Sequence, residues 1–218
     1  MKRIPIVILV IIAGAAVSFA QSEADFHNES IAVLSYMEGD VRVEGRPASL
    51  GQRVPFGAMV QCGADALAEI SFGNRNIMRV EENTVVQIEI GRDVHRASLQ
   101  TGRVASVVEG LAGLGDRRRS RFFFFFSASV AGVRGTAFFA AVEGPNASYI
   151  CTCNGELDME TVDGQRETVQ AARHIARRFV GVAGGGVEIE EAPLLYHSDE
   201  DMDSLAAKVG YTIPWDGM

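Results

Sequence analysis

The chain has 218 residues, 47% of them hydrophobic, with 20 Lys and Arg against 28 Asp and Glu, three cysteines and one tryptophan. That length is enough for one well-cored domain with a small appendage. The acidic balance argues against a nucleic-acid partner, whose phosphates require a basic footprint.

The first twenty residues read as an export signal. Lys2 and Arg3 give a positive start, and Ile4 to Val17 is almost wholly apolar. Ser18-Phe19-Ala20 then places small residues at the −3 and −1 positions of a cut. Polar Gln21-Ser22-Glu23 follows at once, and the lack of a Cys after the apolar run argues against a lipid-modified start. A retained anchor is the alternative, since a span needs roughly 20 apolar residues and this stretch approaches that length. The expectation is cleavage after Ala20, leaving a periplasmic or secreted chain with no membrane span. Without Lys2 and Arg3 the mature chain carries 18 basic and 28 acidic residues, a formal charge of −10. The short run Arg117-Arg118-Arg119 with Arg121 has no interleaved aromatics and reads as a solvated loop.

From Ile31 to about Ile90 the pattern is that of short strands. Ile31-Ala32-Val33-Leu34, Asp40-Val41-Arg42-Val43-Glu44 and Ala68-Glu69-Ile70-Ser71-Phe72 are separated by Gly or Asn. Val41 and Val43, like Ile88 and Ile90, alternate with polar residues at period two. Val104 to Val108 and Phe122 to Val142 continue the pattern, and Phe122 to Phe126 reads as a strand buried on both faces. Asn154-Gly155 lies between two alternating runs and predicts a type I′ hairpin turn, because both turn residues need positive φ. Such a turn pairs 153 with 156 and 150 with 159. Ile150, Thr152, Leu157 and Met159 then share the core face, and Cys151, Cys153, Glu156 and Asp158 share the other.

Near the C-terminus, Ser198 precedes Asp199-Glu200-Asp201, and Met202, Leu205, Ala206 and Val209 form an apolar stripe that Gly210 ends. This order predicts an N-capped helix over about 199–209. Gly181 to Gly186 reads as a flexible connection on the way to it. The fold expected is mainly β, a sandwich or roll of many short strands with one short C-terminal amphipathic helix.

Several of these pieces, in this order, resemble the FecR domain of bacterial envelope proteins. Ile31-Ala32-Val33-Leu34 with Gly39-Asp40-Val41 looks like its opening strand and turn. Gly51, Gly57 and Cys62-Gly63-Ala64-Asp65, leading to Ala68–Phe72, look like its central turns and strands. Val130 to Phe138, centred on Val133-Arg134-Gly135-Thr136, is similar to its most recognisable signature. The resemblance implies a FecR-like β domain over 31–164, after the signal (1–20) and before a C-terminal extension over 165–218. It implies an extracytoplasmic recognition or structural module; the cytoplasmic anti-sigma region of the best-known members is expected to be absent. The residues themselves read structurally: a Gly within a strand suggests a bulge or a close backbone approach, and Arg134 is a candidate partner for an acid such as Glu69.

Possible chemistry lies with the thiols. Three cysteines in an exported chain leave at least one unpaired. Cys151 and Cys153 are poor partners for each other, because two residues of strand span roughly 6.6 Å without convergent Cβ vectors. Cys62 with one of them is an open pairing. Core packing would place the two thiols beside Leu157 and Met159, yet the predicted faces separate them. Taken singly, His174 is an ordinary surface or hydrogen-bonded histidine, and His197 shapes the start of the helix. If the C-terminal segment folds over the thiol face, Cys151, Cys153, His174 and His197 make a closed tetrahedral metal site. Zinc is then the first expectation, with iron or copper as alternatives and Glu156 or Asp158 as substitute ligands. No Ser-His-Asp set, paired-carboxylate motif or phosphate loop stands out, so an enzyme is not expected. Two readings follow: a non-enzymatic envelope module recognising a protein or glycan partner, and a metal-binding envelope protein with the β domain as scaffold.

Overall fold

Period-two alternation becomes strand along nearly the whole chain in the computed structural model, which describes residues 31–73, 75–91, 95–109, 122–127 and 129–215. The export signal and the Arg117–Arg121 run lie outside the described residues, and Arg134 is described by its backbone alone. In chain order the strands are β1 (Ala32–Glu38), β2 (Val41–Val43), β3 (Arg46–Pro47), β4 (Ala58–Cys62), β5 (Leu67–Phe72), β6 (Asn76–Val80) and β7 (Thr84–Ile90). After them come β8 (His95–Val108), β9 (Phe122–Phe126), β10 (Ser129–Gly144), β11 (Ala147–Thr161), β12 (Arg166–Ala171), β13 (Ile175–Gly181) and β14 (Val187–Ala192). One helix, α1 (Asp199–Ala207), follows them. No helix among the described residues is long and apolar enough to cross a membrane.

The long strands β8, β10 and β11 organise everything else, because each belongs to two layers. The later half of β8 pairs with β6 and with the later half of β10, which pairs with the early half of β11. With β1, β5, β13 and β14 these make the first sheet. The other halves join β9 and β12, and through β7 reach β4, β2 and β3, making the second sheet. A strand that turns from one sheet into another must bend, and an extra residue in the ladder is the usual means. Each long strand has one. Register slips where Val85 pairs with Thr101 but Val86 with Leu99. Where β10 meets β11 it slips twice: Gly135 and Thr136 face Gly155 alone between the pairs Arg134–Glu156 and Ala137–Asn154, and Cys153 is the extra residue on β11 between the pairs Ala137–Asn154 and Phe138–Thr152.

The slip on β11 corrects the expected hairpin. Asn154-Gly155 lies inside a continuous strand, and the β10–β11 pair turns instead at Pro145-Asn146. Gly155 has φ +104°, as the turn reading required, but uses it in a bulge, where an added Cβ would lie 2.4 Å from the Gly135 carbonyl oxygen. Thr136 closes the interrupted ladder: its hydroxyl donates to the Glu156 carbonyl at 2.7 Å and accepts from the Glu156 N–H at 3.1 Å. A bulge and a turn both shift the facing pattern by one residue. Ile150, Leu157 and Met159 therefore still point into one core, and Cys151 and Cys153 into another.

The main core fills the space between the sheets. Phe122, Phe124 and Phe126 of β9 tie the two sheets together, meeting Phe72, Phe138 and Phe179 of the first sheet at centroid distances of 5.7, 5.2 and 5.6 Å. Such ring pairs contribute about 1 kcal/mol each beyond their buried area. The phenylalanine strand is not buried on both faces, however: Phe123 and Phe125 remain 40% and 38% exposed on the outer face of the second sheet. They alternate with the buried rings because, among the described residues, that face has no covering layer.

The outer face of the first sheet does have one. Met202, Leu205 and Ala206 of α1, with Ile213 beyond it, pack on Ile77, Val107, Phe139 and Tyr149 as a second core. Ser198 caps the helix, accepting from the Asp201 N–H at 3.3 Å while its own N–H donates to Asp201 Oδ2 at 2.9 Å. Gly210, at φ +67°, ends it, and the Tyr211 N–H returns to the Ala206 carbonyl at 3.1 Å. Lys208 donates to both oxygens of Glu69 at 2.8 and 2.7 Å, beside the Arg79–Glu69 pair at 2.9 Å. Among the described side chains Arg79 and Lys208 pair with Glu69; the side chain of Arg134, the candidate partner, lies outside them. The stretch Gly181–Gly186 is a hairpin turn between β13 and β14, closed by Val182 N–H to the Gly186 carbonyl at 2.9 Å.

Candidate metal centre

Four donors converge where the second core meets the C-terminal segment. Cys151 and Cys153 stand two residues apart on β11, on the face turned away from the main core. His174 sits in the turn between β12 and β13, its N–H tied to the Cys153 carbonyl at 3.0 Å. His197 lies just ahead of α1. The two Sγ atoms and one ring nitrogen from each histidine all lie within 4.8 Å of one another. His174 Nδ1 is 3.5 Å from Cys151 Sγ, and His197 Nε2 is 3.2 Å from Cys153 Sγ. Bonds of about 2.0–2.3 Å to a tetrahedral zinc place neighbouring donors about 3.3–3.8 Å apart. The donors need only small adjustments to reach that geometry.

The atoms behind the donors are arranged as a metal site requires. His174 Nε2 faces Asp199 Oδ1 at 2.5 Å, and the Leu195 carbonyl accepts from His197 Nδ1 at 2.8 Å. These acceptors turn the opposite ring nitrogens toward the thiols and hold each imidazole at a fixed angle. Asp199 is held in turn by Arg173. Phe139 stacks on His197 at 4.5 Å with the planes 9° apart, and Trp215 stacks on His174 at 5.1 Å. Both thiols are fully buried, and the His174 side chain is only 8% exposed. The site is closed, with two soft sulfurs and two imidazoles, the donor set of a structural zinc site.

Backbone strain sits beside the cluster. His174 has φ +31° and Tyr196 φ +68°, both rare for residues with a side chain. Each costs on the order of 1 kcal/mol or more, offset by what the side chains beside the cluster gain. The two thiols differ sharply. Cys151 is pulled far below the ordinary thiol range, chiefly by its hydrogen bond with Cys153 and then by those with His174 and His197. Cys153 is pushed up by burial and by the neighbouring Cys151. One ready thiolate beside one thiol is half-way to the dithiolate that a metal binds.

Cys62 stands apart. It lies in the main core, its Sγ 3.5 Å from the Val80 carbonyl, and burial pushes its thiol up to about 12. All three cysteines are free, so the pairing of Cys62 with Cys151 or Cys153 is not made. Glu156 and Asp158, the substitute ligands, lie past the bulge and outside the cluster; Asp158 instead accepts from the Thr168 hydroxyl at 2.8 Å. Val133-Arg134-Gly135-Thr136 forms the β10 side of the corner at which Cys153 leaves the first sheet. Phe139 and Trp215 had no individual signal in the sequence, and Asn154 was legible only as a turn residue. Asn154 donates to the Ala172 and Pro214 carbonyls at 2.9 and 3.0 Å, joining the His174 turn to the C-terminal tail. Asp199 was legible only as an acidic first turn.

No protein-family model matches the chain, and no curated protein matches it. Among solved structures it is similar to two crystal structures, at 1.65 and 2.50 Å resolution, of a proposed anti-sigma factor from Parabacteroides distasonis. Each match has 10% sequence identity and a TM-score of 0.48, and covers 61% of this chain and 59% of that one. The match thus spans less than two thirds of the neighbour.

Proposed function

We propose that this protein is a non-enzymatic envelope module whose Cys151, Cys153, His174 and His197 hold one structural metal ion, zinc first. The convergence of four complementary donors within 4.8 Å carries the reading. The oriented histidines support it, since the acceptor behind each imidazole leaves its other ring nitrogen turned toward a thiol. An exported location fits both the resemblance to the FecR domain over 31–164 and the signal-like first twenty residues. Outside the cytoplasm, paired thiols are normally consumed by a disulfide or a metal. Metal analysis of the purified protein tests this directly. About one zinc per chain in the wild type and almost none in a Cys151→Ser/Cys153→Ser variant is the expected result.

Near-zero metal in both proteins would overturn the metal reading and leave the second, recognition of an envelope protein or glycan by the β body. One observation favours that second role: Phe123 and Phe125 stand partly exposed on a sheet face that none of the described residues covers. The two readings are compatible, with the metal holding the fold and the β body meeting the partner.

A further inference from the structure

The cluster is also where both ends of the C-terminal segment are held. His197 enters it from ahead of α1, and Trp215 and the Pro214 carbonyl reach it from behind the helix. Asp199, the first residue of α1, joins it through His174. Between these anchors the segment is short. A nine-residue helix is not stable in water without packing. Among the described residues its apolar face contacts the second core alone, and the main core contains no residue beyond Ile189. Away from the cluster, the described residues tie the segment to the body through Lys208 with Glu69, the Tyr196 hydroxyl with Glu143, and Tyr149 with Pro193 and Leu195.

Resting on the metal reading, we infer that the ion is a clamp: it docks residues 193–215 over the outer face of the first sheet, and its removal frees that segment while the two-sheet body stays folded. Three ligands, Cys151, Cys153 and His174, belong to the sheet and its turn, and the fourth belongs to the segment. Binding free energy at such a site therefore appears as docking free energy of the part that brings the last ligand. The sheets are joined by their own core and by the shared strands β8 and β10, which carry none of the four ligands. Loss of the ion thus acts locally.

Hydrogen exchange on the full mature chain, with zinc bound and after chelation, tests this, with zinc content measured first. Trp215, the single tryptophan, gives a second readout. The expected result is exchange at least about tenfold faster over α1 and a red-shifted Trp215 emission, with β4, β7 and β9 unchanged. Zinc added back restores both. His197→Gln, which removes the one ligand supplied by the segment, gives the same selective loss. Unchanged protection of α1 after verified zinc removal overturns the clamp and leaves the metal site standing. Simultaneous loss of protection in the sheets also overturns it, since the ion would then hold the whole fold. Failure of the wild type to bind zinc overturns both readings.

Discussion

Gly155 meets two constraints at once. Its φ of +104° lies in a region that L side chains rarely adopt, and a Cβ there would sit 2.4 Å from the Gly135 carbonyl oxygen, against rigid backbone. Gly155→Ala is expected to destabilise the fold by about 3 kcal/mol, combining the backbone penalty with the clash. Urea unfolding measures it; a loss below about 0.5 kcal/mol would mean that the corner relaxes freely. The residue also shows how far local pattern reaches. Asn154-Gly155 was legible as a site of positive φ, but not as bulge or turn, since that choice depends on β10 pairing along both halves of β11. The faces were still read correctly, because either irregularity shifts the alternation by one residue. The cluster residues were legible as chemical types, and their meeting as a condition, the folding of the C-terminal segment over the thiol face. No local pattern decides that condition, because the close thiol–histidine pairs lie 23 and 44 residues apart.

At the scale of elements, α1 was the easiest part to read. Cap, acidic first turn, apolar stripe and stop glycine are all local signals, and the helix forms over Asp199–Ala207. The phenylalanine strand was half legible: composition announced burial, while its place in a sheet with one face on the core decided that only alternate rings are buried. The anchor of the helix on the body left no local trace, since Lys208 and Glu69 are 139 residues apart. Glu69 is 1% exposed and answers two cations, Arg79 and Lys208. Removing one member of a buried charge group leaves the others uncompensated, so Glu69→Ala is expected to cost about 3–5 kcal/mol. Lys208→Ala should cost less than about 1 kcal/mol, because that side chain is 39% exposed and solvent-screened. Comparable losses in the two variants would contradict this ranking of the contacts.

At the scale of the molecule, the arrangement is two sheets sharing three bent strands, with one core between them and a second beneath the C-terminal segment. The mainly β class followed from alternation and glycine spacing. The sharing of strands did not, because pairing partners over such separations are set by the packed whole. The metal reading joins the scales: bulges turn two thiols outward, a strained turn and a helix start bring the histidines, and the segment closes over them. X-ray absorption at the zinc edge of the purified wild-type protein tests that claim most directly. A shell of two sulfurs at about 2.3 Å and two nitrogens at about 2.0 Å is the predicted result. A shell of oxygen and nitrogen alone, or a protein without bound metal, would contradict it.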